Sequence, residues 1–223
     1  MIKPHLHSGA AFKGMTIGLL GGSFNPAHEG HLAMSLYALK QMKLDQIWWL
    51  VSPQNPLKSN NGMAPFDQRV ASAKRMAKHP RFVVTDIEAA LGTRYTADTL
   101  RKLKRRFRGV QFVWLMGADN LKQIPKWQDW EDIFRLVPVA VFRRPSYPSG
   151  RGIGKAAIKF DAAWHHAARG AKVARQAQNL LPAWVILDNK LNYTSSTNIR
   201  KEDPSWPNLK KAKKKKQKRL LKK

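Results

Sequence analysis

A short apolar run, Thr16-Ile17-Gly18-Leu19-Leu20, leads into Gly21-Gly22-Ser23-Phe24-Asn25-Pro26-Ala27-His28-Glu29-Gly30-His31. Leu32 to Leu39 follow, with apolar residues recurring at helical spacing. Strand, glycine turn and helix in that order place a helix N-terminus, with its unsatisfied N–H groups, beyond the carboxyl end of a strand. That unit opens a parallel α/β sheet and makes a place for a phosphate. Gly21 and Gly22 have no Cβ, so the backbone there can pass close to a ligand. His28 and His31 stand three apart at the helix entrance, a spacing that lets both imidazoles face one bound group. Taken singly, a glycine pair makes a tight turn and a histidine caps a helix. The glycines, Pro26 and the paired histidines together point to a nucleotide-phosphate site. His-Glu-Gly-His lacks the i, i+4 histidine spacing of the zinc motif, and no third ligand is evident, so no protein metal ligand is assigned.

The rest of the chain repeats the alternation. Strands are expected at Gln46–Val51, Arg81–Thr85, Val110–Met116, Pro138–Arg143 and Ala183–Leu187. Helices are expected over Phe66–His79 and Thr96–Phe107, and in a region containing Trp127, Trp130, Ile133 and Phe134. The pattern predicts an α/β fold: a Rossmann-like, doubly wound parallel sheet in a single domain, with ligands beyond the carboxyl ends of the strands. Ser146 to Gln178 is rich in Gly, Ala and basic residues, and reads as a basic surface insertion followed by a helix. No internal repeat is evident.

Three boundaries follow from charge and composition. Residues 1–14 read as an N-terminal extension, dispensable or preceding a start at Met15; residues 15–203 as the domain; residues 204–223 as a disordered basic tail. The chain carries 41 Lys+Arg against 14 Asp+Glu, formally +27, and Lys210–Lys223 holds ten of the basic residues and no acidic one. Such a run is solvated and lies outside a core. The remaining +17 favours anionic partners. The chain has no cysteine, which excludes disulfides, thiolate metal sites and cysteine nucleophiles. No apolar stretch approaches the ~20 residues of a membrane span, and the N-terminus has no secretory apolar region. These features suit a cytoplasmic protein without membrane contact.

A second motif, Thr194-Ser195-Ser196-Thr197-Asn198-Ile199-Arg200, follows the last expected strand. Hydroxyl residues before a short helix commonly cap it. Arg200 lies three residues after Thr197, positioned to return to the same turn. Hydroxyls, backbone N–H groups and a guanidinium fork make a good polyphosphate clamp. Taken together, Gly21–Leu32 resembles the nucleotidyltransferase motif centred on His-x-Gly-His, and Ser195–Arg200 resembles its partner Ser-x-Thr-x-x-Arg. Further segments, Pro53–Lys58, Arg94–Leu100, Gly117–Leu121, Pro125–Trp127 and Arg143–Pro145, extend the likeness over about residues 16 to 202, to the bacterial nicotinate-nucleotide adenylyltransferases. Three positions depart from that family's pattern: Asn25 in place of Asp, Thr194 in place of an aliphatic residue, and a looser match at Pro56-Leu57-Lys58.

The resemblance implies transfer of the adenylyl group of ATP to nicotinate mononucleotide, giving nicotinate adenine dinucleotide and pyrophosphate in NAD biosynthesis. It implies Mg²⁺ held mainly through ATP phosphates. His28, His31 and Arg200 would be the catalytic groups. Gly21, Gly22, Ser23, Phe24, Ser196, Thr197 and Ile199 would bind ATP and its phosphates. Thr96, Asp119, Trp127 and Lys58 would bind the mononucleotide. On pattern alone, Trp127 serves equally well in a core stripe with Trp130, Ile133 and Phe134, and Asp98 and Asp119 serve as helix caps. Within the same fold, the rival acceptors are nicotinamide mononucleotide and phosphopantetheine. From another class, the net charge suggests a nucleic-acid-binding protein, and the tail suggests non-specific polyanion contact.

Overall fold

Thr16–Gly22 forms strand β1 and Glu29–Gln41 forms helix α1, so the opening motif does join a strand to a helix. The computed structural model describes residues 9–53, 62–145, 147, 154–176, 180–203 and 206. After the first unit come β2 (Gln46–Val51), α2 (Phe66–Met76), β3 (Phe82–Thr85), α3 (Ile87–Ala90) and α4 (Thr96–Arg106). Then follow β4 (Gln111–Gly117), α5 (Ala118–Gln123), α6 (Trp130–Leu136), β5 (Val139–Phe142) and α7 (Lys155–Lys159). The chain continues with β6 (Trp164–His165), α8 (Gly170–Gln176), β7 (Trp184–Leu187) and α9 (Ser196–Glu202). The seven strands lie in the order β3-β2-β1-β4-β5-β7-β6, and every pairing is parallel. Strand order reverses between β1 and β4, the crevice where such sheets bind ligands.

Alternation along the strands divides the core in two. Ile47, Trp49 and Val51 of β2 join a cluster with Met34, Ala38 and Leu39 of α1. Trp48 and Leu50 face the other way, into a cluster with Leu100 and Leu103 of α4 and Ile133 and Phe134 of α6. The strands therefore read as continuous apolar runs because both faces are covered.

Three expectations are corrected. The segment after Pro145 is more than a surface insertion. Ala156, Ala157 and Phe160 are buried, Phe160 stacks on Phe134 at 4.5 Å, and β6 adds an edge strand beside β7. Two residues are too few to show strand periodicity, so only packing reveals β6. Residues 9–14 also belong to the packed body, against the boundary drawn at residue 15. Phe12 lies edge-on to Trp48 and Phe107 at 5.3 and 5.9 Å, and Gly14 N–H donates to the Gly109 carbonyl at 2.8 Å. Trp206 lies beyond the boundary drawn at 203, yet it is buried and its indole N–H donates to Asn25 Oδ1 at 2.8 Å. Residues 207–223, including the Lys210–Lys223 run, and Lys58 lie outside the described residues. No described helix is long and apolar enough to cross a membrane.

Candidate active site

The two histidines are set by a reciprocal cap at the start of α1. His28 Nδ1 accepts from Gly30 N–H at 3.1 Å, and His31 Nδ1 accepts from His28 N–H at 3.2 Å. An imidazole nitrogen that accepts cannot carry the proton, so in each neutral ring the hydrogen sits on Nε2. The rings lie 3.9 Å apart, centroid to centroid, and both line one cleft. Burial, with the Arg144 guanidinium adding to it, pulls the His28 imidazole down to about 4. His28 is therefore neutral near pH 7 and presents a donor without a net charge.

The glycine turn is anchored from below. Arg69 of α2 is buried and donates to four backbone carbonyls. Nε reaches Ala64 at 3.0 Å, Nη1 reaches Ser23 at 2.8 Å and Ser52 at 2.7 Å, and Nη2 reaches Pro53 at 2.7 Å. It thereby fixes the turn after β1 to the turn after β2. At Gly21 the absent Cβ makes room for Trp114, whose ring would lie 2.5 Å from it. The glycine is thus required by packing across the sheet, a reason the sequence reading did not give. Phe24 lines the cleft, but its ring stacks on Trp49 at 5.1 Å, so it offers a ligand backbone more than side chain.

The second motif docks on the first across the whole chain. Ser195 caps α9 by accepting from Asn198 N–H at 3.1 Å. Ser196 Oγ donates to the Pro26 carbonyl at 2.9 Å. Arg200 Nη1 donates to the Asn25 carbonyl at 2.6 Å, and its Nη2 lies 3.4 Å from Thr197 Oγ1. The Asn25 side chain donates to the Gly62 carbonyl at 2.8 Å while accepting from Ala64 N–H and Trp206 Nε1. An aspartate there would lack the donor for Gly62, so the departure from the family pattern has a local structural use.

These elements open on a cleft of about 670 Å³ at the carboxyl ends of the strands. Of the expected residues, it gathers Gly21, Gly22, Ser23, Phe24, His28, His31, Thr96, Asp119, Trp127, Ser196 and Thr197. Ile199 and Arg200 are not in its lining; Arg200 acts on the turn from behind. Trp127 is half-buried against the core cluster while lining the cleft, whereas Trp130, Ile133 and Phe134 are buried. Asp98 pairs with Arg101 at 2.7 Å. Asp119 Oδ1 faces Arg144 Nε at 3.6 Å, an ion pair longer than a hydrogen bond. A Cβ on Gly117 would stand 2.3 Å from that carboxylate, so glycine is what lets Asp119 fold back there.

Glu88 and Arg144 were not singled out from sequence. Glu88 is buried on α3, just past the end of β3, and lines the cleft with Ser52, Tyr95 and Thr96. Its signal was position alone: an acid following a strand's carboxyl end. Burial pushes its carboxyl up to about 7, opposed by hydrogen bonds with Ser52 and Thr99. A carboxyl with an ordinary value of 4.5 thus binds its proton more tightly in the folded state. Its contribution to stability is fully present below pH 4.5 and is lost as pH rises through about 7. Glu88→Gln is expected to remove that decline, on the order of 1–3 kcal/mol, from urea midpoints measured across this range. A variant retaining the parent slope would show that another group carries it.

No group of three or more His, Asp or Glu side chains suited to a metal occurs among the described residues.

Strand order, switch-point cleft and two interlocked motifs at its mouth are those of a nucleotidyltransferase. Residues 19–202 match the cytidylyltransferase-like family model. A protein of Parvibaculum lavamentivorans named "probable nicotinate-nucleotide adenylyltransferase" is 50% identical over 193 residues, covering 86% of this chain and 94% of the relative. One of Bradyrhizobium sp. with the same name is 47% identical over 192 residues, covering 86% and 98%. The chain belongs to the cytidylyltransferase-like family, in the branch of the bacterial nicotinate-nucleotide adenylyltransferases. The fold is also shared with a Plasmodium falciparum nicotinic acid mononucleotide adenylyltransferase solved in complex with NaAD. That likeness has a TM-score of 0.61 at 18% identity, covering 83% of this chain and 82% of the other.

Proposed function

We propose that the cleft joins ATP to nicotinate mononucleotide, releasing pyrophosphate and forming nicotinate adenine dinucleotide. The observation that carries this reading is the docking of α9 onto the glycine–histidine turn. It sets two imidazole donors and the α9 turn at one end of a cleft whose other side holds Thr96, Asp119 and Trp127. The names of the bacterial relatives support the same substrates.

The mononucleotide phosphate is already an anion, so the attack needs no general base. Its oxygen forms a bond to the α-phosphorus of ATP, and the bond from that phosphorus to the bridging oxygen breaks, with pyrophosphate leaving in line. Positioning and charge stabilisation do the rest. The Nε2–H groups of His28 and His31 donate to phosphate oxygens, and the Gly21–Ser23 backbone approaches them from the turn. Ser196 and Thr197 face the leaving phosphates, and Arg200 holds the turn through the Asn25 carbonyl. Mg²⁺ held through the ATP phosphates and water would supply charge neutralisation on the departing pyrophosphate, with no side chain assigned to it. On the acceptor side, α4 begins at Thr96 with no side-chain cap, which leaves N–H groups for a carboxylate. Trp127 flanks the pyridine ring and Asp119 the ribose.

A substrate panel read by pyrophosphate release tests the reading. With ATP and Mg²⁺, nicotinate mononucleotide is expected to turn over far faster than nicotinamide mononucleotide. Donors placed for a carboxylate meet the amide NH₂ with a donor–donor mismatch. Equal rates, or preference for the amide, would overturn the acceptor assignment and leave the family intact.

A further inference from the structure

Arg94, Lys126 and Arg144 line the cleft, but a second set of exposed cations stands at the opposite end of the fold. In a parallel sheet all strands begin at one end, the end opposite the cleft. In the segment leading into β3 stand Lys78 and Arg81, and in that leading into β2 stand Lys40 and Lys43. Lys13 precedes β1, and Arg105 and Arg108 precede β4. All seven are exposed, and none makes an ion pair among the described residues. The one acid in these segments, Asp45, is spent on the Thr16 N–H at 2.7 Å. At the other end, acidic residues in the first turns of the helices pair with cations, Asp98 and Asp132 with Arg101, Asp119 with Arg144 and Glu131 with Lys159.

Some basic residues at this end are ordinary, since a helix C-terminus carries about half a negative charge. The three helices that end here, α1, α2 and α4, account for about 1.5 charges on that rule, well short of seven cations. The excess is also ordered. The strands succeed one another as β3-β2-β1-β4, so the cations form a row. At about 4.8 Å per strand the row spans roughly 14 Å. Successive phosphates of an extended single strand lie ~6 Å apart along the backbone, so the row meets two or three of them. The exposed large apolar side chains Leu36, Tyr147, Ile158, Leu180, Leu191 and Tyr193 all lie outside these four segments. There is thus no apolar wedge for a lipid surface.

We propose that this end of the sheet is a docking track for the phosphate backbone of a single-stranded nucleic acid, independent of the cleft and of the Lys210–Lys223 run. Binding there leaves the catalytic end open.

The test uses the full chain and a mixed-sequence single-stranded RNA of about 20 nucleotides, a length well beyond the row. Lysine acetylation with and without the RNA is expected to show protection of Lys40, Lys43 and Lys78. The variant with Lys40, Lys43, Lys78 and Arg105 all changed to Gln is expected to bind the RNA at least ~10-fold more weakly near 100 mM salt. Its plot of log affinity against log salt should lose a slope of about 2, at ~0.7 per phosphate. Adenylyl transfer should stay within about two-fold, which also reports on folding; if the variant does not fold, the acetylation pattern of the parent chain decides. Protection confined to Lys210–Lys223, or an unchanged salt slope in a folded variant, would overturn the track. So would protection of the three lysines by phosphatidylglycerol vesicles but not by RNA.

Discussion

His31→Ala is expected to lower kcat for adenylyl transfer about 10²-fold or more, the usual scale for removing one preorganised donor to a transition state. The effect belongs to chemistry more than to folding. His31 is half-buried, and the structural losses include its ring contacts with Phe24, His28 and Trp49 and the cap hydrogen bond from His28 N–H to Nδ1. A cap is worth about 1 kcal/mol. His31→Gln separates the two roles: its amide oxygen can accept the cap bond while its NH₂ donates, so turnover should recover in part. Arg200→Ala should behave differently. The guanidinium grips the Asn25 carbonyl from behind the cleft, so its loss should raise KM for ATP as well as lower kcat. Near-normal turnover in His31→Ala would remove that residue from the phosphate site.

The largest stability effect is expected at Arg69. Arg69→Leu keeps much of the volume but leaves the carbonyls of Ser23, Ser52, Pro53 and Ala64 without their donor. Burial already depresses the guanidinium's pKa, a sign of how little solvent compensates it. Charge-assisted hydrogen bonds of this kind contribute ~1.5–3 kcal/mol each when lost singly, and the set is not additive. A loss of about 3–5 kcal/mol is expected in urea unfolding, with weaker ATP binding in whatever remains folded. A loss below about 1 kcal/mol would mean that the two turns hold themselves in place.

Arg69 also shows where sequence reading runs out. In Phe66-Asp67-Gln68-Arg69-Val70 it looks like one more polar helix residue, because its partners are carbonyls, which every residue possesses. Strands were legible wherever a run of four or more apolar residues recurred, as in Trp48-Trp49-Leu50-Val51. The site was legible where glycine, histidine and hydroxyl residues cluster within a dozen positions. Glu88, Arg144 and the Asn25 side chain were not legible as parts of it. Their roles depend on what the fold brings beside them: Ser52 and Thr99, Asp119, and Gly62 with Trp206. Phe12 and β6 were misjudged for a related reason, since one aromatic or two residues carry no periodicity.

The Trp206–Asn25 hydrogen bond spans 181 positions, and the Arg200–Asn25 bond spans 175. In the order of synthesis, the glycine–histidine turn therefore precedes both of these partners by almost the whole length of the domain. The parallel core of β1, β2 and β4 has its contacts long before then. A chain still growing toward residue 200 thus has a phosphate turn that Arg69 holds and that α9 and Trp206 do not yet reach, and closure of that long loop comes as a late step in assembly. Both anchors reach the turn only in a chain made through residue 206.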